Sequence, residues 1–274
     1  MLKHKMFDDS LELARAARIE ILRMAHEARA SHVASSLSVV DILSVLYSGH
    51  ANTTTKNLFN PDRDIVVLSK GHAAAALYSI LALQDFFPIE WLKKYCADGS
   101  PIGGHVTSSG VPGVELSTGS LGHGLPYGVG IALSRKRSGI DGQIFVVMSD
   151  GECDEGTTWE SALIANQFDL TNLTVIIDRN GFQSLAATED TLRLEPFEAK
   201  WRAFGWDARS LDGQSHDELK AALCAKQGAP RVLIAATTKG AGVSFMENQV
   251  LWHYRWPNES ELLHGLKELG VHDA

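Results

Sequence analysis

Short apolar stretches, each running into a cluster of small and polar residues, recur along this chain with helical periodicity between them. Few folds accommodate that order. Ile65–Leu68 comes first and lacks period-two alternation, as a parallel strand buried on both faces should. Ile144–Met148, Leu173–Ile177, a shorter stretch near 206–209 and Val232–Ala236 follow. The opening reads as a helix, with Leu11, Ala14, Ile21, Leu22 and Ala25 near one face. A second helix is expected from Ser38, where Ser38-x-x-Asp41 resembles a capping box. Further helices are expected over 72–86, over 88–97 with Pro88 at the start, and over 125–135 and 157–168. Others are expected near 196–204, near 215–227 and over 259–269, and a Gly-rich loop spans 99–124. This alternation predicts an α/β fold, a parallel sheet covered by helices on both faces, in one domain over 1–274.

Composition excludes several classes. At 274 residues the chain is long enough to bury roughly 75% of its unfolded surface. Its 25 basic and 33 acidic residues give a net charge of −8, so no nucleic-acid partner is expected. No membrane association is expected, because no apolar run nears the about 18 residues a span needs. Met1–Ser10 carries no signal-like apolar region. Cys96, Cys153 and Cys224 form no CxxC pattern, which argues against a disulfide framework or a zinc site and for a cytoplasmic setting.

In parallel sheets ligands collect beyond the carboxyl ends of the strands. Those ends carry Ser69-Lys70-Gly71-His72, Ser149-Asp150-Gly151, Asp178-Arg179-Asn180 and Thr237-Thr238-Lys239-Gly240. Asp150 and Asn180, 30 residues apart, flank one strand–helix–strand unit and present the hard oxygens that magnesium prefers. The alternative is a helix cap and a turn. The segment Ser117–Gly124 opens a helix and offers backbone N–H groups to a phosphate, or else serves tight turns. His4, His26, His50, His216, His264 and His272 read as surface residues. His32, His72, His105, His123 and His253 sit in loops or at strand ends, as structural histidines or as imidazoles serving a polyhydroxyl substrate.

Asp150-Gly151 through Asn180 is similar to the thiamine diphosphate motif, with Ser149 in place of its first glycine. Together with Ser69–His72, Pro112–Glu115, Ser117–Gly122, Gly151–Gly156 and Thr237–Gly240, in that order, it strongly resembles the N-terminal, diphosphate-binding half of transketolase. The resemblance covers about residues 10–260 and is closest to split transketolases. It implies that Asp150, Asn180 and the Phe182 carbonyl hold Mg2+, with Ca2+ or Mn2+ as substitutes. It implies that Ser35, His72, Gly119, Ser120, Leu121, Asp150, Gly151, Asn180, Lys239 and His253 contact thiamine diphosphate. His32 and His105 match donor-hydroxyl ligands, His253 faces cofactor and substrate, and Glu155 belongs to the network joining two cofactors. His32, His72, His105, His253 and Glu155 are the catalytic set it implies.

The implied reaction moves a two-carbon ketol unit from a ketose (phosphate) donor to an aldose acceptor, with the cofactor as electron sink. Two departures stand out. His32 lies in Ser31-His32-Val33-Ala34-Ser35 instead of Gly-His-x-Gly, and Val106-Thr107 replaces the usual Pro and acidic residue after His105. The second falls in the substrate region and points away from the ordinary pentose phosphate donor. The chain reaches Ala274 without a pyrimidine-binding module. A second polypeptide is therefore expected to supply it, in a heterotetramer with two chains of each kind, and this chain alone is expected to be inactive. Leu121, Leu125, Trp159 and Phe245 are candidates for that contact. Rival readings are a 2-oxo acid dehydrogenase component, a deoxyxylulose phosphate synthase-like fragment, or a non-catalytic scaffold.

Overall fold

The computed structural model describes residues 7–272. Five parallel strands, β1 (Ile65–Leu68), β2 (Ile144–Ser149), β3 (Leu173–Arg179), β4 (Asp207–Asp212) and β5 (Arg231–Ala236), lie in the order β1-β2-β3-β5-β4. Strand side chains alternate between two cores. Val66, Leu68, Phe145, Val147, Ile176 and Leu233 face α1 (Ser10–Glu27), α2 (Val33–Val45) and α3 (Ala74–Leu83). Val67, Ile144, Val146, Val175, Ile177 and Val232 face the other way. There they meet α4 (Gly124–Ser138), α5 (Gly156–Gln167) and, beyond a short turn α6 (Thr188–Thr191), α7 (Phe197–Ala203). Two more helices, α8 (His216–Cys224) and α9 (Glu259–Glu268), complete the first layer. The α/β fold with helices on both faces is as expected.

Several boundaries differ from expectation, each for a physical reason. Helix α2 begins at Val33, ahead of Ser38, because it is buried on every side and has no polar face to mark its start. Ser38 is an interior residue whose hydroxyl donates to Asp178 at 2.6 Å, and Asp41 pairs with Arg18 at 2.5 Å. The same burial bears on the membrane expectation. Val33–His50 is 18 residues long with mean hydropathy 1.2, enough by length and composition to span a bilayer, but 83% of it is buried inside the protein. The expected helix over 88–97 is a 3₁₀ turn, Ile89–Lys94. His216 is buried, with Nδ1 2.7 Å from Ser10 Oγ and Nε2 3.1 Å from Asp41, so it is not a surface residue. His26 and His50 are half-buried, His264 and His272 are exposed, and His4 lies outside the described residues. Leu125 is fully buried in the second core, which removes it from any contact surface.

Candidate functional site

The carboxyl ends of β1, β2, β3 and β5 open onto one cavity of about 220 Å³. Of the residues singled out from the sequence, His32, Ser35, His72, His105, Gly119, Leu121, Asp150, Gly151, Asn180, Phe182, Lys239 and His253 line it. Ser149, Gln183 and Ser184 join them. Ser120, Glu155 and His123 are exposed and do not line it.

One wall is rich in oxygen. Asp150 is buried at the end of β2, and its Oδ2 accepts from Arg179 Nη1 (3.1 Å), Gly181 N (3.0 Å) and Thr188 Oγ1 (3.1 Å). Among the described residues its Oδ1 accepts only from Gly151 N, at 2.8 Å. Burial, then the neighbouring Asp178, pushes the Asp150 carboxyl up, and Arg179 opposes them. Asn180 Oδ1 accepts from Phe182 N at 3.1 Å, and the Phe182 carbonyl accepts from Lys239 Nζ at 3.3 Å. A carboxylate, an amide oxygen and a backbone carbonyl make a hard-donor set, and a buried carboxylate with one oxygen so lightly used favours a bound cation. These residues fit a divalent metal.

The opposite wall is a pinned loop. Glu152 is fully buried, and its carboxylate accepts from Gly122 N at 3.1 Å, from Ser149 N at 2.9 Å and from the Ser69 hydroxyl. Ser69 Oγ accepts in turn from Gly124 N at 3.1 Å, and Thr157 Oγ1 donates to Gly122 O at 2.8 Å. The ends of β1 and β2 thereby hold the turn Gly119–Gly124 where α4 starts. Gly122 has φ +74°, and a Cβ there would meet Glu155 Cβ at 2.6 Å. Sequence reasoning gave Glu152 no role, since its partners are scattered along the chain. The turn has the form of an anion cradle at a helix N-terminus.

The remaining wall is imidazole. The His32 ring centroid lies 4.6 Å from His253, 5.5 Å from His72 and 5.7 Å from His105. His32 is placed by a left-handed backbone, φ +67°, at the N-terminus of α2, and its N–H donates to His253 O at 3.0 Å. Such a conformation is costly for a non-glycine residue and gathers at functional sites. Burial, then His105, Lys239 and Lys70, pulls His32 down to about 4. Burial, then Lys239, His32 and Lys70, pulls His253 to about 3, and burial takes His72 well below its ordinary value. These three rings are neutral near pH 7, each with one donor and one acceptor nitrogen. Nδ1 of both His32 and His253 is buried without a hydrogen-bond partner among the described residues. Lys70 forms a wholly buried ion pair with Asp178 that ties the ends of β1 and β3. Lys239 is pulled down to about 8 by burial and by Lys70. Oxygen ligands, an anion cradle and neutral imidazoles meet in one cavity, a donor set that suits a cation, an anionic group and hydroxyls.

A family model described as "Transketolase, thiamine diphosphate binding domain" matches residues 10–273. One of the named subunits of apulose-4-phosphate transketolase, from Actinobacillus succinogenes, is 41% identical over 266 residues, which cover 96% of each chain. The 6-deoxy-6-sulfo-D-fructose transketolase subunit SqwG of Clostridium sp. is 40% identical over 225 residues, covering 81% of this chain and 82% of that one. Among solved structures, transketolase from Leishmania mexicana superposes with a TM-score of 0.88 at 25% identity, over 96% of this chain. Transketolase from Campylobacter jejuni gives 0.86 at 28% identity, also over 96%. This chain spans only 41% and 42% of those two chains.

Proposed function

This chain belongs to the transketolase thiamine diphosphate binding domain family, and from that premise we propose that it is the N-terminal subunit of a split transketolase. It moves a two-carbon ketol unit from a ketose carrying an anionic tail to an aldose acceptor. The observation that carries this reading is the cavity itself, where His32, His72, His105 and His253 face Asp150 and Asn180. Relatives that are themselves named as transketolase subunits, and that match nearly end to end, support a separate partner carrying the pyrimidine-binding module. Two relatives named for apulose-4-phosphate and 6-deoxy-6-sulfofructose support a donor other than the ordinary pentose phosphate. The reading includes an assembly of two chains of each kind. It also includes a cytoplasmic setting, in keeping with the free thiols of Cys96, Cys153 and Cys224.

Asp150, Asn180 and the Phe182 carbonyl would hold Mg2+, or Ca2+ or Mn2+ in its place. The Gly119–Leu121 backbone, Gly151, Ser35, His72 and Lys239 would hold thiamine diphosphate. When bound, that cofactor supplies the nucleophilic carbon and the electron sink that cleavage beside a ketone requires. The chain's own residues do the rest. His32 and His105 bind and orient donor hydroxyls. His253 also lines the cavity, and its ring, neutral at working pH, would hydrogen-bond a donor hydroxyl beside them. The buried Lys70–Asp178 pair keeps the strand ends in register beneath the reacting groups.

The test is co-purification with the adjacent reading frame's product, followed by assay against a panel of phosphorylated and sulfonated ketoses. Aldose release that requires both chains, thiamine diphosphate and a divalent cation is expected. A pair that decarboxylates 2-oxo acids and transfers no ketol unit would overturn the reading.

A further inference from the structure

The segment bearing His105 belongs to the long loop before α4 and has no regular structure of its own. It is nevertheless fixed at two successive peptide planes. In the plane joining His105 to Val106, the carbonyl accepts from Tyr78 Oη at 3.1 Å and the N–H donates to Gly71 O at 3.1 Å. In the next plane, the Val106 carbonyl accepts from Thr118 N at 3.0 Å and the Thr107 N–H donates to Tyr78 Oη at 2.8 Å. All four polar atoms are engaged, and one phenol serves two of them.

Tyr78 suits this task. It sits in α3 with no exposed surface, its ring wedged in the first core near Tyr95. Burial pushes its hydroxyl up from the ordinary phenol range, so it keeps its proton and donates. The other two bonds lead to Gly71, beside His72, and to Thr118, beside the Gly119 turn, and therefore serve the cofactor side as well. The Tyr78 bonds bear on the His105 segment alone. Thr107 Oγ1 also reaches His105 O, at 3.2 Å, but that bond moves with the loop. The His105 ring projects from this clamped backbone toward Gly119, where a Cβ would sit 3.3 Å from its Cδ2.

We infer that Tyr78 is a positioning residue for His105, holding the ring at the sugar-facing side of the cavity from beneath the loop. This rests on the proposed reading of His105 as a donor-hydroxyl ligand. A ring displaced by an ångström loses the geometry on which substrate orientation depends.

Tyr78→Phe keeps the ring and removes both bonds. In the two-subunit enzyme it is expected to lower kcat/KM for the ketose donor about tenfold, mostly through KM. Thiamine diphosphate affinity, measured by calorimetry, should stay within about twofold. In a His105→Ala background the same substitution should change kcat/KM by less than about twofold, since the group it positions is gone. Additive losses in the double variant, or a parallel loss of cofactor affinity, would reduce Tyr78 to ordinary core packing and overturn the inference. A harmless Tyr78→Phe beside a damaging His105→Ala overturns it alone. A harmless His105→Ala overturns the site reading and this inference together. Circular dichroism melting of Tyr78→Phe keeps these outcomes distinct from misfolding.

Discussion

At the scale of single residues, the site is a balance between burial and charge. Asp150 is 1% exposed, and of its two oxygens only Oδ2 is saturated by protein donors among the described residues. Asp150→Ala should weaken thiamine diphosphate binding in the assembled enzyme by more than tenfold, about 1.4 kcal/mol. Calorimetry showing unchanged affinity would refute the metal assignment. The imidazoles make a separate prediction. Their folded values, about 4 for His32 and about 3 for His253, lie below the ordinary 6.5. As pH falls, the unfolded chain takes up those protons first. The stability these neutral rings contribute is therefore complete above pH 6.5 and drains away as pH drops from there toward 4. The melting temperature of the cofactor-free chain should fall over that interval, and His253→Gln should flatten the slope. A variant as pH-sensitive as the parent would count against the assignment. Sequence reasoning finds His32, His72, His105 and His253 because each sits in a recognisable motif or loop. It misses Glu152 and Tyr78, whose parts depend on contacts with residues far away along the chain. It puts His216 on the surface because nothing local shows that Ser10 and Asp41 fold around it.

At the scale of elements, the strands are legible, and so is the buried helix α3, but the start of the buried helix α2 is not. β1, β2, β3 and β5 stand out as apolar runs because both faces are covered. Helix α2 is covered all round too, and that erases the polar stripe from which its start would be read, so Ser38 passes for a cap. The 3₁₀ turn Ile89–Lys94 is likewise indistinguishable by composition from a full helix. The turn between the Gly-rich loop and α4 is visible as glycines, but not what holds it. Glu152→Gln replaces one of the two acceptor oxygens with an NH2 group, which then opposes the N–H of either Gly122 or Ser149. It should cost about 1–3 kcal/mol of stability and loosen the turn. Urea unfolding and titration with inorganic pyrophosphate check both effects. An unchanged midpoint with unchanged pyrophosphate affinity would mean that the carboxylate does not hold the cradle. The loop after His105 also constrains engineering. Val106 is 3% exposed and its N–H donates to Gly71 O, so a proline placed there loses a bond instead of simply restoring the family pattern.

At the scale of the whole molecule, the parallel sheet gathers the strand-end groups along one edge, while the helices bury the opposite faces. The purified chain is expected to show no ketol transfer by itself, and to gain it on mixing with its partner in an assembly of two chains of each kind. Sedimentation and a coupled assay on the same fractions check this. Robust turnover by rigorously partner-free chain would refute it. The architecture also sets an order of events. The backbone bond from His32 to His253 joins the start of α2 to the segment just ahead of α9. Closing so long a loop is among the slower steps a domain takes. A ribosome making this chain must therefore pass residue 253 before the His32 N–H meets its acceptor, and every shorter nascent chain leaves the pocket open on the side that His253 closes.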